Sequence, residues 1–142
     1  MRENFKQLDN RFKTTRHYVS NTNNYYEDVY PVLLDIVDTF FSYAKENSMF
    51  YMMMLSLAFS PPSSRPAIMA EQYQRALYGF LENTFSDISS FHTNLKGKER
   101  AFSWRFYATI STQVALWNRG YANLDDEARQ SIVTHFMHGI FS

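Results

Sequence analysis

The chain contains no cysteine, which excludes disulfide staples, thiolate nucleophiles and thiolate metal sites, and leaves the fold to be held by its own packing. Glycine and proline are scarce, four of each in 142 residues, so few positions force regular structure to stop. Charge of one sign is not in excess either: fourteen basic residues face fourteen acidic ones, for a formal net charge of zero. A free-standing nucleic-acid binder normally carries a basic surplus or stripe, so the totals point away from direct DNA contact. Long hydrophobic runs are missing as well. The longest, residues 49–59, falls well short of the roughly 20 residues that a helix needs to cross a bilayer. The first twenty residues, MRENFKQLDNRFKTTRHYVS, carry charges throughout and lack a continuous apolar core, so no secretory leader is expected. These absences together suit a cytoplasmic protein with no membrane partner.

Aromatic surface is abundant. Thirteen Phe and ten Tyr raise the aromatic share to 18%, and a chain of single-domain length can use so many rings only in large buried contacts or in the wall of a cavity. Apolar residues recur at three- and four-residue spacing far more often than at two, which predicts an all-α fold, a single-domain antiparallel bundle of about six helices.

Phe5, Leu8 and Phe12 share one face of an amphipathic helix expected over residues 2–18, followed by a loop at SNTNN, 20–24. A second helix opens at Glu27 with Pro31 in its first turn and is apolar on nearly every side, leaving Asp35 and Asp38 on a narrow polar stripe. Asn47 and Ser48 can start a new helix over 49–59, MFYMMMLSLAF, which has no charged residue, and Pro61, Pro62 and Pro66 form the loop that ends it. Residues 67–91 form a long helix interrupted by Gly79, whose cost of about 1 kcal/mol relative to alanine suggests close approach by a neighbour or ligand. After the turn NLKGK, a helix over 99–118 has two faces suited to burial, Phe102, Phe106, Ile110 and Trp117 on one and Ala101, Trp104, Ala108, Ser111 and Ala115 on the other. The last helix, capped by Asp125, carries Ala128, Ile132, Phe136 and Ile140 at strict four-residue spacing, the pattern of a helix laid against a partner.

This order of elements, with the stretches DIVDTFFSYAKENSMFYMMMLSLAFSPP and DDEARQSIVTHFMHGIFS, resembles the regulatory half of tetracycline-repressor-type transcriptional regulators over residues 27–142. The resemblance implies an effector-binding and dimerisation domain at 27–142, preceded by a connecting helix and loop at 1–26. It also implies a two-fold homodimer through the last two helices and a small hydrophobic or aromatic effector. DNA would be read by an amino-terminal helix-turn-helix that this chain has no room for before Asn21, so the chain corresponds to a fragment or to a start downstream of that reader.

The methionine cluster has two readings: ordinary packing by a side chain that fills irregular gaps, or an adaptable pocket wall. In the second, Phe50, Met53, Met54, Phe59, Tyr73, Phe80, Trp104 and Tyr107 line the ligand site, although consecutive methionines about 100° apart cannot all face inward. Tyr51, Tyr73, Tyr107 and Gln113 are candidate polar handles. Ala108, Ser111, Ala115, Ile132, Phe136 and Ile140 are the expected dimer interface. His135 and His138 lie three apart but lack a carboxylate at a matching helical position, so no metal is expected. No Gly-rich phosphate loop, nucleophile elbow or zinc signature occurs. Neither catalysis nor a cofactor is expected, and the competing function is a constitutive homodimerisation domain with no small-molecule ligand.

Overall fold

The three- and four-residue periodicity is realised along the chain. A computed structural model describes residues 25–58, 61, 63–91 and 95–141, and no strand occurs among them. Five helices follow one another: α1 (Tyr25–Glu46), α2 (Ser48–Ala58), α3 (Arg65–Phe91), α4 (Glu99–Asn118) and α5 (Asp126–Phe141). The helix expected over 2–18, the loop at 20–24, Phe59, and the side chains of Tyr73 and Ile140 lie outside the described residues.

Helix α1 is the centre. Val29, Leu33, Ile36, Val37, Phe40 and Ala44 are fully buried, and the helix packs against α2, α4 and most extensively α5. Because α1 is already helical at Tyr25, Pro31 lies inside it rather than in its first turn. The proline ring has no N–H to give to the Glu27 carbonyl, a loss that the packing on both sides outweighs. A single non-helical residue, Asn47, separates α1 from α2. Its amide donates to Tyr43 O at 2.8 Å, closing α1, and its carbonyl accepts from Tyr51 N at 2.9 Å, opening α2, so Asn47 ends one hydrogen-bond ladder and starts the next.

Helix α3 starts earlier than the proline pattern suggests. Pro66 belongs to its first turn, where a missing N–H costs nothing, and the helix is tied back by Ile68 N to Ser64 O at 3.0 Å. Gly79 also departs from expectation: a Cβ placed there would meet nothing within 4 Å, so no neighbour requires the glycine.

Between α3 and α4 the chain turns on Gly97, at φ +83°, with Leu95 fully buried beneath it. Glu99 opens α4. Its own backbone amide, the Ser89 hydroxyl at 2.8 Å and the Gly97 amide hold its carboxyl below the ordinary value of 4.5. The far end of α4 closes in a Schellman motif, in which Gly120 at φ +81° donates to Trp117 O and Tyr121 N donates to Leu116 O. Asp125 Oδ1 then caps α5 by accepting from Ala128 N at 2.9 Å. Arg129 joins α5 to α1, lying 3.5 Å from Asp38 and 3.1 Å from Asp126.

Two sets of rings fill the interior. Phe85, Phe102 and Phe106 surround Phe136 where α3, α4 and α5 meet, with centroids 4.8 to 6.3 Å from the Phe136 ring. Nearer α2, Phe40 meets Tyr51 at 6.3 Å and Tyr107 at 5.8 Å, and Tyr43 meets Phe50 at 6.2 Å, all edge-on. Edge-on ring pairs of this kind add about 0.5–1.5 kcal/mol each beyond the area they bury.

Candidate functional site

The residues proposed to line a ligand site divide between interior and surface. Phe50 and Met54 are each 8% exposed and Tyr107 is buried with them, all in the one core cluster, against which Phe80 is half-buried. Met53 is 40% exposed and Trp104 stands at the surface. The reason is angular: with Phe50, Tyr51 and Met54 turned inward, the 100° step places Met49 and Met53 on the opposite side, and Met49 is 87% exposed. An all-apolar helix therefore buries only one of its faces.

Two of the candidate polar handles, Tyr51 and Gln113, are engaged within the chain. Tyr51 Oη and Ser111 Oγ lie 3.0 Å apart and buried, a side-chain hydrogen bond that links α2 to α4. Gln113 Nε2 donates to Asn123 O at 2.9 Å, fixing the amide against the turn that precedes α5. His135 Nδ1 and Ser131 Oγ are 3.2 Å apart, one helical turn from each other. Among the described residues no group of three or more His, Cys, Asp or Glu is placed to hold a metal.

Helix α4 shows where its two expected burial faces go. One, with Phe102, Phe106 and Ile110, is buried in the chain's own core together with Ser103, Tyr107 and Val114, and Ser111, expected on the other face, is turned into this core as well, where its hydroxyl meets Tyr51. On the other, Ala101, Trp104 and Thr112 are exposed while Ala108 and Ala115 are half-buried. Along this open face runs an apolar groove of about 400 Å³ between Leu55 of α2 and Ala108, Ala115, Leu116 and Tyr121, with Ser111 at its floor and Arg119 at its end. Leu116 and Tyr121, paired by the Schellman closure, supply much of its exposed hydrocarbon.

A second groove, of about 570 Å³, opens on the other side of α4, between Gln113 and Thr109 of that helix and Glu127, Ala128, Ser131 and His135 of α5. Ile132 and Phe136 form its floor. These two residues, expected to project toward a second subunit, are turned into the chain's own packing: Ile132 is buried and Phe136 is held among three phenylalanine rings. Ala108 and Ala115 line the apolar groove, whereas Ile132 and Phe136 line the polar one.

Leu55, Leu116 and Tyr121 were not singled out by spacing, yet they shape the apolar groove. The readable signal was Gly120 directly after a helical run, which places Tyr121 at the position that folds back on Leu116. Among the described residues no helix is long and apolar enough to cross a membrane. Comparison with family models, curated proteins and solved structures gives no match to this chain.

Proposed function

We propose that this chain is a helical self-association and effector-response domain of the tetracycline-repressor type, pairing with a second copy through α4. One observation carries the pairing: α4 buries one face in its own core and leaves the other open, with Ala108, Ala115 and Leu116 on it and Arg105 and Arg119 seven residues to either side of the exposed Thr112. Ala108 and Ala115 are small enough for a helix to approach closely, and Arg119 is the single charge among the groove's described lining residues. Ile132 and Phe136 support the arrangement from beneath, holding α5 against α4. In the parent regulator the pair would pass an effector-driven shift to an attached helix-turn-helix, which requires the effector to bind one arrangement more tightly than the other.

The test is sedimentation of the wild type beside Ala115→Arg. The expected result is a dimer that becomes a monomer on substitution, with helicity unchanged. A wild type that sediments as a monomer at micromolar concentration, or a variant that remains dimeric, removes α4 as the pairing element.

A specific observation favours a second reading, a constitutive dimerisation domain without a ligand. Phe50, Met54 and Tyr107 are packed among the chain's own rings, as a filled core would be. A thermal-shift screen with aromatic, cationic and anionic small molecules separates the two, since only the effector-response reading expects stabilisation.

A further inference from the structure

We infer that the groove between α4 and α5 binds a small organic cation, an ammonium or quaternary ammonium attached to an apolar body. This inference rests on the effector-response reading and gives it a place and a ligand class. Its volume of about 570 Å³ is of small-molecule size. The lining sets two carboxylates, Asp125 and Glu127, beside hydroxyl and imidazole groups, with no Lys or Arg among the described lining residues. The floor is hydrocarbon and ring: Ile132 and Phe136. A negative rim over a hydrocarbon floor is the combination that holds an ammonium on an apolar body, by Coulomb attraction above and apolar contact below.

Four of the polar groups, Gln113, Asp125, Ser131 and His135, are also held in place before any ligand arrives. Gln113 is held by the Asn123 carbonyl at 2.9 Å, Ser131 and His135 hold each other at 3.2 Å, and Asp125 keeps one oxygen on Ala128 N at 2.9 Å. Groups ordered in this way lose little freedom on binding, which favours affinity even in an open groove. Asp125 retains its second oxygen, and the Glu127 side chain is exposed at the rim. A cation is the ligand for which these two oxygens are complementary, whereas a carboxylate or phosphate would meet like charge on both.

Titration of the full chain with benzyltrimethylammonium, benzyl alcohol and benzoate tests the assignment, followed by amide and methionine-methyl NMR. The expected result is saturable shifts at Glu127, Ser131 and His135 with the cation and none with benzoate. Glu127→Gln should weaken binding about threefold, and Asp125→Asn with Glu127→Gln about tenfold, because asparagine preserves the helix cap while the charge is lost. Equal binding of benzoate, or unchanged affinity in the double variant, overturns the cation assignment. Shifts confined to the methyls of Met52 and Met54 on α2 overturn this groove but leave the effector-response reading standing. If no probe of any charge binds saturably, both fail, while the dimer measured by sedimentation is decided separately.

Discussion

The rings of Phe85 and Phe106, in the cluster around Phe136, and the helix α2 are both apolar, yet the rings are covered and the helix is half open. At the cluster, rings arrive from α3, α4 and α5, so Phe85 and Phe106 are covered on every side. At α2 the neighbours α1, α3 and α4 meet only one face, and Met49 and Met53 are left in solvent. Both sequences are hydrophobic enough for burial. The number of directions from which other helices approach decides how much of each is buried.

The largest break in this contrast comes from Phe106→Ala. Removing a ring that meets both Phe85 and Phe136 should cost about 3–5 kcal/mol, a large share of a small domain's total of about 5–15 kcal/mol. Denaturant titration measures it, and a loss below about 1 kcal/mol would mean that the cluster is loosely packed. Next comes a pair within α2: Met54→Ala should cost about 2 kcal/mol, whereas Met53→Gln should stay within about 0.5 kcal/mol. Equal effects at the two positions would contradict the one-sided burial of this helix. Tyr51→Phe removes only a hydroxyl but strands the buried Ser111 oxygen, at about 1–2 kcal/mol, and restoring an apolar surface with Ser111→Ala in the same chain should recover part of it. The smallest effect has the opposite sign. Gly79→Ala should stabilise by roughly 0.5–1 kcal/mol, because the added methyl meets nothing, and a destabilised variant would imply that α3 is approached at this point.

The sequence made the helices legible because their periodicity is local. The turn NLKGK, with Gly97, and the cap at Asp125 each stand where their chemistry predicts. Pro31 and Gly79 misled for a shared reason: both were read from propensity alone. Burial along α1 overrides the cost of the one, and simple tolerance, with no neighbour involved, explains the other. The candidate sites were less legible still. Which face of α2 is covered, or whether Ile132 and Phe136 point toward a partner or toward Phe106, depends on where distant helices lie. Spacing within one helix carries no information about that. The Tyr51–Ser111 bond spans sixty positions, and nothing near either residue announces it.

The joint at Asn47 has a mechanical consequence. A helix of eleven residues is a rod about 16 Å long, and here it is hinged to α1 through one peptide unit instead of a loop. Such a rod cannot slide independently; it can only swing. A swing of about 10° would carry its far end about 3 Å and Leu55 about 2 Å, enough to widen or narrow the groove along α4. Angular play at one asparagine thus converts directly into a change of shape at the surface where a second copy would sit.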